Sequence, residues 1–181
     1  MASSLMMIDE ANLSRGAEPR PCWYAAYTYG NHEKKAAAEI ARRGVESFLP
    51  VYRTVRRWSD RRVELKMPLF PGYVFVRLAL HDRLKVLQVS GVSRLVGFGG
   101  APVALPEEQI ATLRAGLNGP LRAEPHPFLA IGRRVRVKVG PLQGLEGFVI
   151  RRKSGTRLII TLDLIQRSVA VEMEAEDLER A

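Results

Sequence analysis

Along residues 22–117 the spacing of apolar positions switches repeatedly between a period of two and a period of three to four, which predicts alternating strands and helices. CWYAAYTY, Cys22 to Tyr29, is aromatic-rich and predicts a strand. Asn31 is the expected cap of a helix running to Arg43, with Ala36, Ala37 and Ile40 as its apolar stripe. Glu33 in its first turn, Arg42 and Arg43 in its last and Gly44 just beyond suit the helix dipole and a helix stop. Val45 to Trp58 predicts a second strand interrupted by Pro50. Ser59 to Arg62 is a polar tip, and the chain returns through Val63 and Leu65 into LFPGYVFV, Leu69 to Val76.

In that stretch Tyr73 and Phe75 share one face of a strand, and Val74 and Val76 share the other. Both faces are apolar, so both require a cover. A short helix is expected from about Asp82 to Val89, with Leu80, Leu84 and Leu87 at spacings of four and three. Val92 to Val96 predicts a fourth strand. A last helix begins near Pro106, carries Glu107 and Glu108 in its first turn and presents Ile110, Leu113 and Leu117. The order β-α-β-β-α-β plus one helix is the split arrangement of ferredoxin-like domains, with helices on one face of an antiparallel sheet. The opposite face, often solvated in this arrangement and so expected to be left bare by the domain's own helices, should carry the aromatics.

NGPLRAEPHP, Asn118 to Pro127, holds one glycine and three prolines and ends the helical pattern. It is read as a linker over 118–127. It separates a first domain at 21–117 from a second at 128–181, and residues 1–20 are expected to be a disordered tail. The second segment has no helical pattern. Arg133 to Val139 alternates, Gly140 to Gly147 is rich in turn residues, and β-branched runs follow, which predicts a small β-barrel. Within RLIITLDLI, Leu158, Ile160, Leu162 and Leu164 are expected inward. Ile159, Thr161, Asp163 and Ile165 then fall outward, an odd place for Ile165.

Composition narrows the function. The 181 residues are 46% hydrophobic, in the globular range, and no apolar run is long enough to span a bilayer. The N-terminus lacks a basic start followed by an apolar core, so no secretory signal is expected. Cys22 is the one cysteine, which excludes an internal disulfide and fits a reducing, cytoplasmic setting. A net charge of +9 points to an anionic partner, foremost nucleic acid. His32, His81 and His126 show no metal-ligand spacing with Cys22 or a carboxylate, no phosphate-binding loop occurs, and no nucleophile has a local base. Neither an enzyme, a metal site nor a cofactor is expected.

Four stretches in order carry a resemblance: WYAAYTYGNHEKKAAAEI, PLFPGYVFV, GVSRLVGFGG and VGPLQGLEGFV. Together they resemble the NusG family of bacterial transcription elongation factors over about residues 22–180. The first three are similar to its N-terminal (NGN) domain and the last to the KOW motif of its C-terminal SH3-like barrel. HDRLKVLQVSGVSRLVGFGG and LIQRSVAVEM resemble the specialised RfaH and UpxY type of paralogue. The fold class implied is α+β, a ferredoxin-like NGN domain with an antiparallel sheet plus a KOW β-barrel.

The resemblance implies a transcription elongation or antitermination factor, acting as a monomer without a membrane. An aromatic patch would grip the clamp helices of the RNA polymerase largest subunit, and the matching residues are Tyr27, Phe70, Tyr73, Phe75 and Phe98. Trp23 and Tyr24 are assigned to the interior. Upstream or non-template DNA would meet Lys34, Lys35, Arg42, Arg43, Arg56, Arg57, Arg61 and Arg62, with Trp58 stacking on a base. His81, Asp82 and Arg83 lie near the position where RfaH reads a DNA element, but no polar triplet matches. Ile165 and Arg167 match the loop that meets a small-subunit ribosomal protein or the termination factor Rho. The β-branched C-terminal content favours a barrel over a helical form. The alternative is a stand-alone RNA- or ribosome-binding protein using the KOW barrel.

Overall fold

The computed structural model describes residues 20–58, 61–118, 123–126, 133–152, 155–162, 165, 167–173 and 175–181. The expected tail before Arg20, the hairpin tip Ser59–Asp60 and part of the expected linker lie outside the described residues.

β1 (Cys22–Thr28) leads through a tight turn to α1 (Glu33–Arg42) and then β2 (Glu46–Phe48). β3 (Val51–Trp58) and β4 (Arg61–Pro68) form a separate two-stranded ribbon, paired from Val51 with Pro68 to Trp58 with Arg61. β5 (Tyr73–Leu78) re-enters the main sheet, and a 3-10 turn at Leu80–Asp82 runs into α2 (Arg83–Leu87). β6 (Val92–Leu95) is followed by a small hairpin of β7 (Gly97–Phe98) and β8 (Ala101–Pro102), and then by α3 (Glu107–Asn118). The four-stranded sheet runs β2-β5-β1-β6 and every pairing in it is antiparallel. This is the expected split arrangement, with the β3–β4 ribbon inserted between its second and third sheet strands.

The remaining strands are β9 (Ala123–His126), β10 (Arg133–Val137), β11 (Glu146–Arg152), β12 (Gly155–Leu162), β13 (Arg167–Met173) and β14 (Leu178–Arg180). They form one antiparallel sheet in the order β14-β10-β11-β12-β13-β9. The breaker-rich run 118–127 is therefore more than a connector. Its residues 123–126 add an edge strand to β13, where Pro125 costs no interior ladder bond.

The two faces of the first sheet are covered differently. Tyr24, Ala26, Val74, Val76 and Leu78 point toward α1 and α2, where Ala36, Ile40, Val86 and Val89 complete an apolar layer. Trp23, Ala25 and Phe75 point the other way, toward Ile110 and Leu113 of α3. The same apolar cluster continues into the second domain through Val135, Val137, Leu142, Ile165 and Val171. So the aromatic face, expected to be bare, is capped by α3 and by the β domain.

Several local expectations are corrected. Asn31 does not cap α1. It takes a left-handed turn at φ 62°, which asparagine tolerates, and His32 precedes the helix without a side-chain cap bond. α2 is only five residues long, and Val86 within it and Val89 just beyond it are buried, while Leu80 and Leu84 are exposed. Ile159 and Ile165, expected outward, are 0% and 4% exposed.

Candidate macromolecular interface

Tyr27 and Tyr73 occupy the end of the aromatic face nearest the Pro71-Gly72 turn. Antiparallel pairing sets them directly opposite each other, and their ring centroids lie 5.4 Å apart at a tilt of 58°. Both remain half-buried. Register also places Arg94 of β6 opposite Tyr27, and its guanidinium lies 4.7 Å from that ring's centroid. On the far side the Arg167 guanidinium of the β domain lies 5.8 Å from the Tyr73 ring. The result is a ladder of cation, ring, ring and cation, whose last rung belongs to the other domain. Stacking of this kind adds attraction beyond area burial.

The turn beneath the pair is tied down by a buried acid. Glu33 is 5% exposed, and its Oε1 accepts the Gly72 N–H at 2.8 Å. Gly72 sits at φ 84°, where a side chain is disfavoured, and a Cβ there would also press on the Tyr27 ring. Glu33 thus fixes both the start of α1 and the loop that aims Tyr73. Its sequence signal was helical position alone, which gave no hint of the second partner.

The other expected aromatic contacts separate. Phe70 and Phe75 are 1% and 0% exposed and stack edge to face at 5.7 Å, so they support the patch from beneath rather than offering surface. Phe98 is the opposite case, 72% exposed on the β7–β8 hairpin. Trp23 and Tyr24 are interior, as expected. Trp23 donates its indole N–H to Glu107 at 3.2 Å. Arg114 of α3 lies over both Trp23 and Phe48 and is held by Glu46 through two hydrogen bonds of 3.1 Å. Sequence reasoning missed this clamp because it joins α3 to β2 across 68 residues.

The basic residues lie on two elements. On the ribbon, Arg53, Arg56, Arg57, Arg61, Arg62 and Lys66 are exposed, and among the described residues Arg53 is paired with Glu64 at 3.2 Å. Register sets Arg57 directly against Arg62. Like charges so placed repel, which an anion between them would relieve. Eight residues in each strand make an arm roughly 25 Å long. The Trp58 side chain lies outside the described part of the molecule, so its stacking role stays an expectation.

On α1, Lys34 and Lys35 are exposed. Arg42 and Arg43 both pair with Glu39, and Arg43 also donates to the Lys85 and Gln88 carbonyls at 3.4 Å. Arg43 is thereby a tie between α1 and the α2 turn, with less freedom to meet a phosphate.

Ile165 is buried in the apolar cluster that joins the domains, so it does not present the outward surface its parity suggested. Arg167 is exposed but faces Tyr73. Among the described residues, no group of three or more His, Cys, Asp or Glu is placed to hold a metal ion, and no helix is long and apolar enough to cross a membrane.

An aromatic sheet end, a cationic ribbon and an appended β domain define a two-domain binding protein built around surfaces. A family model described as "Transcription termination factor nusG" matches residues 21–114, over half of the 181-residue chain. The chain belongs to the NusG family of transcription termination/antitermination factors. It is 27% identical over 172 residues to the transcription termination/antitermination protein NusG of Lactococcus lactis, with 87% of this chain and 91% of the relative covered. The Staphylococcus aureus protein of the same name is 28% identical over 176 residues, with 87% and 94% covered. Among solved structures, "Domain interaction in Thermotoga maritima NusG" superposes with a TM-score of 0.56 at 20% identity, covering 89% of this chain and 97% of that one, a likeness of fold.

Proposed function

We propose that this protein is a transcription elongation and antitermination factor that grips the clamp helices of RNA polymerase through the Tyr27–Tyr73 end of its sheet. The observation that carries this reading is the ring pair itself. Two tyrosines in direct register, stacked at 5.4 Å and fixed from below by Phe75 and Glu33, make a rigid anchor of the kind that dominates interfaces. A helical hairpin laid on such a face is a helix-in-groove interaction. Phe98 adds an exposed ring from the neighbouring hairpin, while Phe70 and Phe75 stiffen the floor.

The ribbon carries the electrostatic share. Arg56, Arg57, Arg61 and Arg62, with Lys34 and Lys35 on α1, bind upstream or non-template DNA through its phosphates. The β domain supplies the third contact, a ribosomal protein or Rho at Ile165 and Arg167. Since Ile165 and Tyr73 lie within the shared apolar cluster, polymerase engagement requires the β domain to swing away. Bound in that open form, the protein stabilises polymerase in its closed, moving state and so suppresses pausing or termination.

The test is in-vitro transcription with the cognate polymerase on a template carrying a pause site and a terminator, with wild type and Tyr73→Asp compared. The expected result is loss of the effect with the fold intact by circular dichroism. An unchanged effect removes the Tyr27–Tyr73 end as the polymerase contact.

A further inference from the structure

Register divides the cations of the β3–β4 ribbon between its two faces. Directly paired residues of an antiparallel ribbon point to one side, and the side alternates along each strand. Arg53 pairs with Lys66, Val55 with Glu64 and Arg57 with Arg62, so these six share a face. All six are exposed, and the 3.2 Å contact between Arg53 and Glu64 runs diagonally within that face. Arg56 and Arg61 lie on the other side, with Tyr52, Thr54, Val63 and Leu65, which are half-buried.

The exposed face is ordered. Its cations stand in two ranks, Arg53 with Lys66 and Arg57 with Arg62, and each rank takes one cation from each strand. Four residues separate the ranks along a strand, about 14 Å. Between them lie Val55, 63% exposed, and Glu64. A carboxylate repels phosphate and an exposed valine gains nothing from it, so this middle row does not suit a backbone contact. Among the described residues the face also holds no aromatic ring, the platform on which single strands stack.

We propose that this face enters the major groove of B-form DNA, with the β3 cations on one flanking backbone, the β4 cations on the other, and Val55 and Glu64 turned to the base edges. The groove is about 12 Å wide and admits a two-stranded ribbon. Strands about 4.8 Å apart leave room on either side for an arginine or lysine to reach a phosphate. At the groove floor a carboxylate accepts from the cytosine amino group, and an apolar side chain meets the thymine methyl. The deep, narrow major groove of duplex RNA excludes such a ribbon. The proposal rests on the reading that the ribbon meets DNA and refines it. Arg53 and Lys66 join the contact, and Arg56 and Arg61 leave it.

The experiment measures binding of the full chain to one sequence as duplex DNA, duplex RNA and single-stranded DNA, by fluorescence anisotropy over a salt series. Arg53→Gln/Lys66→Gln is compared with Arg56→Gln/Arg61→Gln. Each pair removes two charges, so net charge is matched, and an unchanged unfolding midpoint reports an intact fold. The first pair should flatten the slope of log affinity against log salt by about two, and the second by much less. Duplex DNA should bind more tightly than either other probe. Methylation of guanine N7, which lies in the major groove, should weaken binding, and a minor-groove-binding drug should not compete. In selection from duplexes with a randomised core, Glu64→Gln should shift the preferred base from cytosine toward adenine by roughly fivefold or more. Equal losses from the two pairs would overturn the assignment of faces. Competition by the minor-groove drug, with indifference to N7 methylation, would remove the major groove, and tighter binding of RNA or the single strand would remove duplex DNA. An unchanged base preference in Glu64→Gln would take Glu64 off the base edges. If neither pair alters affinity for any probe, the ribbon is not a nucleic-acid contact, and the functional reading beneath the proposal fails with it.

Discussion

The Arg167 guanidinium lies 5.8 Å from the centroid of the Tyr73 ring, and the two residues come from different domains. Arg167 is exposed and Tyr73 half-buried, so the attraction is about 0.5–1 kcal/mol. A double-mutant cycle with Arg167→Met and Tyr73→Leu in denaturant unfolding should return a coupling energy of that size. Both replacements keep apolar bulk, so the cycle isolates cation and ring. A coupling of zero means that the two merely lie side by side.

Glu33 is expected to matter more than an exposed first-turn acid. Its carboxylate is buried and accepts the Gly72 N–H, so Glu33→Ala leaves a part-buried donor without its partner. That loss costs about 1–3 kcal/mol. In a chain of this length the melting temperature should fall by on the order of 5 °C. Glu33→Gln retains an acceptor oxygen and should cost less. Equal melting temperatures for wild type and Glu33→Ala would show that water replaces the carboxylate at the turn.

Much of the first domain was legible because it is governed by local periodicity. The alternation of Tyr73 and Phe75 with Val74 and Val76 correctly assigned two apolar faces, but not that the chain itself covers the aromatic one. The stripe of Ile110, Leu113 and Leu117 fixed which side of α3 meets the sheet. α2 was misread because five residues are too few for a stripe, and adjoining turns rather than helical period decide that Val86 and Val89 go inside. Ile159 and Ile165 were misread for a different reason. Parity was taken to separate a buried face from a solvated one, yet β13 buries both Ala170 and Val171, so both faces of this sheet are covered there. Docking between domains leaves little local trace. The trace was an isoleucine at an outward position, and its meaning appears only when both domains are in place.

The ribbon of β3 and β4 should trade stability against binding. Arg57 and Arg62 face each other in register, a like-charge pair that costs the free protein roughly 0.2–1 kcal/mol. Replacing both with alanine should leave the unfolding midpoint unchanged or slightly higher. Duplex DNA affinity should fall uniformly across sequences, and the slope of log affinity against log salt should shrink by about one for each phosphate no longer neutralised. Fluorescence anisotropy over a salt series reads both. A lower affinity with an unaltered slope would assign these arginines to shape or stacking instead of phosphate neutralisation.

Glu146 gives the β domain a defined acid response. It bridges two arginines, Arg136 by a hydrogen bond and Arg134 at 2.8 Å. The hydrogen bond from Arg136, with the charge of Arg134 behind it, holds the carboxyl below the ordinary glutamate value of 4.5. A carboxyl whose folded pKa is depressed stabilises the fold fully above its unfolded pKa, and that contribution fades as pH falls through the lower, folded value. The loss should therefore come on the acid side of 4.5 and leave neutral pH untouched. Carbon-13 titration of the Glu146 carboxyl should show a midpoint under 4.5, and Arg136→Gln should raise it, with Arg134 retaining part of the shift. Both arginines are exposed and Glu146 is only half-buried, so added salt should move the midpoint upward as well. A midpoint at the ordinary value, insensitive to Arg136→Gln, would mean that this ion-pair cluster is not formed in solution.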